Sequence, residues 1–179
     1  MKVKVPFIPL RGQTFFPNTI VGFDIGRDKS LKSLDAAMSE DKYLVVATQK
    51  DVSVNAPKEE DIFTTGVEIR VKQIIKRHEE YVRVLAECGN RVKLSAVYDE
   101  DDTLYCDYEV CDAISQDDDE LNVMALVRVL KETYFSYVEM SNSGEAAARA
   151  LIDGVEDPVE LTYTIAGELA VPYDVLQGL

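Results

Sequence analysis

Histidine, cysteine and basic side chains are scarce in this chain of 179 residues, and each scarcity excludes a class of chemistry. The single histidine, His78, lies in the turn Arg77-His78-Glu79-Glu80, so no His-based metal site or hydrolase triad is supported. The three cysteines, Cys88, Cys106 and Cys111, are an odd set, and the segment Met1–Leu10 has no apolar run of signal-peptide length. They are expected to be reduced packing thiols in a cytoplasmic protein. Cys106 and Cys111, five apart in a strand-like stretch, would face opposite ways and make a poor metal site. No eighteen consecutive apolar residues occur, so no membrane-spanning helix is expected. Nineteen Lys and Arg stand against 33 Asp and Glu, for a net charge of −14 and a pI near 4.4. That balance argues against a broad nucleic-acid surface and against docking on anionic lipid. Gly26-Arg27-Asp28-Lys29-Ser30 lacks the spacing and the Gly-Lys pair of a phosphate loop. The acidic runs 59–61, 99–102 and 117–120 lack the pattern of a calcium loop and read as solvated charge. No catalytic residue, metal ligand or cofactor-binding residue is expected.

What is present is a foldable composition, 46% hydrophobic, in which the period changes along the chain. Residues 1–116 read as strands. Val3-Lys4-Val5 alternates, with Pro6 and Pro9 suggesting an edge or irregular strand, and Thr19–Ile25 is β-rich. Leu31, Leu34 and Met38 fall at helical spacing, which predicts one inserted helix over Arg27–Met38. Tyr43–Thr48 is continuously apolar, fit for a strand buried on both faces. Val67, Ile69 and Val71 alternate with Glu68, Arg70 and Lys72, and Tyr81–Glu87 returns as a hairpin partner. Val92–Tyr98 and Leu104–Val110 predict a second hairpin around Asp99–Asp102. Six strands and one helix predict a small barrel or sandwich.

From 117 to 179 the pattern is helical. Met124, Val127, Leu130, Tyr134 and Val138 form a stripe, and Glu145–Ile152 a short Ala-rich helix. Asp157-Pro158-Val159-Glu160 is a helix start, with Asp as N-cap, Pro at the first helical position and Glu at the third. Leu161, Ile165 and Leu169 carry its apolar stripe, and Val171-Pro172 opens one more short segment. Two apolar features are candidates for a docking patch: Phe15-Phe16-Pro17 in a loop, and Leu85 between Arg83 and Glu87.

Several segments together resemble one family. Pro9-Leu10-Arg11, Phe16-Pro17, Gly26-Arg27 with Ser30, and Ala37-Met38 resemble the N-terminal domain of Lon proteases. So do Asp61-Ile62-Phe63-Thr64-Thr65-Gly66, Gly89-Asn90-Arg91, and Asp157-Pro158 with Leu161 and Ile165-Ala166. The resemblance runs from about Val3 to Gln177; Leu176 and Cys88 depart from the residues usual there. It implies an α+β fold: a PUA-like β-barrel lobe with one inserted helix, then an α-helical lobe. It also implies a noncatalytic domain that recognises unfolded or damaged polypeptides and supports assembly with other Lon subunits into a hexamer. Phe15, Phe16 and Leu85 are then the candidate substrate contacts. ATP, magnesium and the serine peptidase centre would belong to the parent protease. Two other readings are a free-standing Lon-type adaptor for one partner and a PUA-like RNA-binding module. The latter would use Arg70, Lys72, Lys76, Arg77 and Arg83, against the charge of the chain.

Overall fold

A computed structural model describes residues 4–78, 80–111, 120–141 and 144–178. The acidic run at 117–119 and the expected change of period there lie outside the described residues. The contacts divide the chain into two units: 1–111 with 170–179, and 112–169. The helical lobe expected over 117–179 is therefore corrected at its end, because Ala170–Leu179 groups with the strands.

The strand-rich unit contains β1 (Val5–Leu10), β2 (Ile20–Ile25), α1 (Asp28–Ser39), β3 (Tyr43–Gln49), β4 (Ile62–Arg77), β5 (Val82–Glu100) and β6 (Thr103–Val110). Sheet order is β2-β5-β4-β3-β1-β6, and β5 also pairs with β6, so the pairings run in a circuit from β1 through β3, β4, β5 and β6 back to β1. β1 and β3 are parallel, as a strand–helix–strand crossover requires. β1 has neighbours on both sides, but β6 covers only Val5 and Pro6. Beyond them the Pro9 carbonyl accepts from Arg27 Nη1 at 3.3 Å. The strand end that carries Pro9 pairs regularly with β3 but is an edge on its β6 side, where the residue's missing N–H costs no ladder bond.

β5 is one strand, not the two expected. Val67 pairs with Arg91 and Ile69 with Cys88, so Gly89 and Asn90 together oppose Glu68. This bulge bends the strand without ending it. Asn90 Nδ2 donates to Glu68 Oε2 at 2.7 Å and Tyr108 Oη donates to Glu68 Oε1 at 2.6 Å, which holds the bend. Between β5 and β6, Asp101 (φ 52°) and Asp102 (φ 62°) form a two-residue turn with both residues left-handed, the twist a tight hairpin favours.

β3 is buried from Leu44 to Gln49 because its two faces serve two cores. Leu44 and Val46 join Val67, Ile69, Val71, Val84 and Leu34 of α1 in one. Val45 and Ala47 join Phe7, Ile62, Val92, Leu94 and Cys106 in the other. Cys88 and Cys106 are buried packing thiols, while Cys111 is exposed, contrary to the expectation for all three. The strand ends at Val110, and Cys111 follows it outside both cores.

The helical unit holds α2 (Glu120–Met140), α3 (Glu145–Ile152) and α4 (Pro158–Glu168). Tyr134 and Val138 pack with Ala148, Ile152, Leu161 and Ile165. The Asp157 cap forms as expected, its Oδ1 accepting from the Glu160 N–H at 2.7 Å. The α2 stripe is corrected at its start: Met124 is 63% exposed. The last helix, α5 (Tyr173–Leu176), belongs to the strand-rich unit.

Candidate functional site

Phe15, Phe16 and Leu85 do not form one patch. The turn Pro17-Asn18 doubles back, with Asn18 at φ 60° and its N–H donating to the Cys88 carbonyl at 3.1 Å. Thr19 Oγ1 donates to the Phe16 carbonyl at 2.7 Å, and Phe16 is left 6% exposed. It is a core residue, so its place in the expected surface patch is withdrawn. Phe15 is half-buried, its ring edge-on to Phe23 at 5.1 Å between centroids. Leu85, also half-buried, pairs with Gly22, whereas Phe23 pairs with Val84 toward the core. Successive strand residues face opposite ways, so Leu85 points away from the face where Phe15 packs.

The outward face around Leu85 is mixed, with exposed Ile20 set among charged side chains. Tyr43, Arg70, Glu87 and Ile20 form one cross-strand row, with the Arg70 guanidinium 5.3 Å from the Tyr43 ring centre. Lys72 pairs with Glu87, and Arg83 Nε lies 3.4 Å from Asp24 Oδ1. Three of the five basic residues weighed for RNA are therefore already engaged. His78 is exposed and stacks on Tyr81.

Two surfaces carry more. The first is a cleft of about 890 Å³ between the first turn of α1, the loop 55–59 and the β5–β6 hairpin, a size that suits a few side chains. Pro9, Leu31, Pro57, Val97 and Leu104 give it apolar walls. The hairpin is held by ion pairs, Lys29 to Asp99 and Lys32 to Asp102, the latter at 2.9 Å. Arg27 lies at one side, and burial, followed by the charge of Arg11, lowers its pKa. Its Nη2 donates to Gln49 Oε1; Gln49 is fully buried, and its Nε2 donates to the Val54 carbonyl at 3.1 Å. Arg11 Nη2 reaches the same carbonyl at 3.5 Å and Asn55 Oδ1 at 3.0 Å. This arginine–glutamine network escapes a sequence reading, because Arg11, Arg27 and Gln49 meet only once β1, α1 and β3 have packed. The one signal was the place of the two arginines in recognisable segments, Pro9-Leu10-Arg11 and Gly26-Arg27; Gln49 carried none.

The second surface is the first half of α2. Leu126 (69%) and Val129 (57%) are exposed beside Met124. The signal was legible: between 121 and 130, Leu121, Val123, Met124, Leu126, Val127, Val129 and Leu130 are apolar all round, more than one buried stripe can use.

The model of the ATP-dependent protease La (LON) substrate-binding domain matches residues 4–179. The chain belongs to the Lon substrate-binding domain family. Lon protease 1 of Bacillus subtilis is 31% identical to it over 170 residues, covering 94% of this chain and 22% of that protein. The Lon protease of Clostridioides difficile is 34% identical over 169 residues, with 93% and 22% covered. The chain thus spans about a fifth of the length of the curated relatives it matches. The N-terminal domain of the Mycobacterium avium complex Lon protease aligns with a TM-score of 0.72 at 16% identity, over 94% of this chain and 83% of that one. A Lon N-terminal domain protein from Xanthomonas campestris aligns at 0.55 and 15% identity, over 92% and 98%. These likenesses show the mixed α+β fold.

Several residues behind the Lon resemblance have direct physical reasons. A Cβ on Gly66 would lie 2.5 Å from the Val46 carbonyl oxygen and 3.1 Å from Ala47 Cβ, so β3 and β4 meet at that register only over a glycine. Asp61 Oδ2 accepts from the Lys58 N–H at 2.9 Å and closes the turn before the buried Ile62. Asp157-Pro158 starts α4 by the cap already described.

Proposed function

We propose that this chain is the noncatalytic substrate-recognition and assembly domain of a Lon-type ATP-dependent serine protease, binding exposed segments of unfolded or damaged polypeptides. The observation that carries this reading is the apolar, exposed first half of α2 in a chain whose family is defined by substrate binding. Met124 beside Leu126 offers an adaptable apolar contact, which suits loose sequence demands. The circuit of strand pairings around the Phe7–Cys106 core supports a PUA-like barrel for the first lobe. ATP, magnesium, the peptidase centre and the hexamer belong in this reading to the parent protease, in the cytoplasm. The charge of −14 disfavours the RNA-binding alternative.

Binding of carboxamidomethylated, unfolded ribonuclease and of its folded disulfide-bonded form, followed by fluorescence anisotropy, tests the reading. The unfolded chain should bind more tightly, and Met124→Ser with Leu126→Ser should weaken it without changing the melting temperature. Equal or undetectable binding of the two forms overturns substrate recognition by this domain.

A further inference from the structure

We propose that Arg11 and Arg27 form a clamp for a carboxylate, taking an acidic side chain or the C-terminal carboxylate of an extended polypeptide laid in the cleft beside α1. The proposal rests on the substrate-binding reading above and names the chemistry that such a substrate presents.

The argument begins with charge pairing. Carboxylates outnumber basic groups 33 to 19. Lys4, Lys29, Lys32, Lys72, Arg83 and Arg128 each hold one within ion-pair distance. Among the described residues, Arg11 and Arg27 hydrogen-bond only to neutral acceptors: Arg27 to the Pro9 carbonyl and Gln49, Arg11 to the Val54 carbonyl and Asn55. A guanidinium carries five N–H donors in a fork matched to a carboxylate, so donors remain on both side chains. Asp24, which lines the same hollow, lies 3.4 Å from Arg83 instead.

The pair is also fixed in place. Gln49 and the Val54 carbonyl tie the two guanidiniums into one network, and Gln49 is wholly buried. Both arginines line a hollow of about 400 Å³ together with Gln13, buried Ser30 and Arg83. That hollow shares Pro9, Arg27 and Ser30 with the larger apolar cleft. Two like charges held side by side, one of them half-buried, repel each other, and an incoming anion relieves the repulsion. The layout is therefore apolar walls with a cationic end. It fits a segment whose apolar side chains lie in the cleft and whose carboxylate reaches the arginines.

Anisotropy of rhodamine-labelled Leu-Ala-Phe-Leu-Ala-X peptides on the intact chain tests the clamp. Three probes are used: X as Asp with an amidated end, X as Asn with a free carboxylate, and X as Asn amidated. At least one carboxylate peptide should bind about tenfold more tightly than the neutral one. Which of them does so separates side-chain from C-terminal recognition. Arg11→Gln and Arg27→Gln should each erase the advantage, and Arg27→Lys should retain part of it. Should Arg27→Gln lower the melting temperature, the exposed Arg11→Gln decides. Equal binding of the three peptides, or an advantage that survives Arg11→Gln, overturns the clamp. If unfolded ribonuclease still binds in that case, the substrate-recognition reading stands without it. If ribonuclease fails while the carboxylate preference holds, the clamp stands and that reading falls.

Discussion

The Gln177 side-chain amide donates to the Thr65 carbonyl at 2.9 Å, joining residues 112 apart in sequence. Tyr173 Oη donates to the Lys50 carbonyl at 3.0 Å, and Thr14 Oγ1 donates to the Tyr173 carbonyl at 3.2 Å. These bonds seat α5 on the strand-rich unit. Gln177→Ala should remove one bond worth about 0.5–1.5 kcal/mol. Hydrogen exchange should then quicken at Val175 and Leu176, whose N–H groups donate to the Pro172 carbonyl, and stay slow in β4 and β5. Equal loss of protection in β4 would contradict a separately seated segment.

Gly66→Ala places a methyl against the backbone of Val46, which cannot move without parting β3 from β4. A cost of about 1–3 kcal/mol is expected from such overpacking. Urea denaturation should show a lower midpoint with an unchanged slope.

The thiols differ sharply in access. Burial raises the pKa of Cys88 to about 11 and that of Cys106 to about 12, from a usual 9.0. Iodoacetamide at neutral pH should therefore label Cys111 alone in the folded chain and all three cysteines after unfolding. Because the folded state holds these two protons more tightly, their contribution to stability is complete below pH 9. It falls as pH rises from there toward 11–12. Cys88→Ala and Cys106→Ala should flatten that alkaline loss; an equally steep loss in the double variant would show another cause.

Asp157→Ala removes the acceptor for the Glu160 N–H and should cost about 1 kcal/mol. Asp157→Asn should restore most of it, since the amide oxygen also accepts. Thermal melts of the three proteins check both expectations.

The readable parts of the fold were those set by local pattern. The run Tyr43–Thr48 foretold a strand between two cores, and the alternation of Val67, Ile69 and Val71 foretold one buried face. Asp157-Pro158 foretold a cap from four residues of sequence. What escaped depends on distant partners. Gly89-Asn90 resembles a strand break until Glu68 is seen opposite it, bonded to Asn90. Phe16 resembles a loop aromatic until the Asn18 turn carries it inward. The return of 170–179 to the strands is written in Gln177 and Tyr173, whose acceptors, Thr65 and Lys50, are over a hundred residues away. The proposed arginine clamp is hidden for the same reason, since Arg27 reaches Gln49, and Gln49 and Arg11 reach the Val54 carbonyl, only in the folded unit.

The chain leaves the strand-rich unit after Cys111 and rejoins it at Ala170. Tension applied between β1 and α5 would consequently pass within one unit for as long as α5 stays seated. The bonds of Tyr173 and Gln177 are the ones that such a pull would load. The sheet therefore binds the chain on both sides of the helical unit, so cutting the chain within residues 144–169 would leave α5 still bonded to Thr65, Lys50 and Thr14.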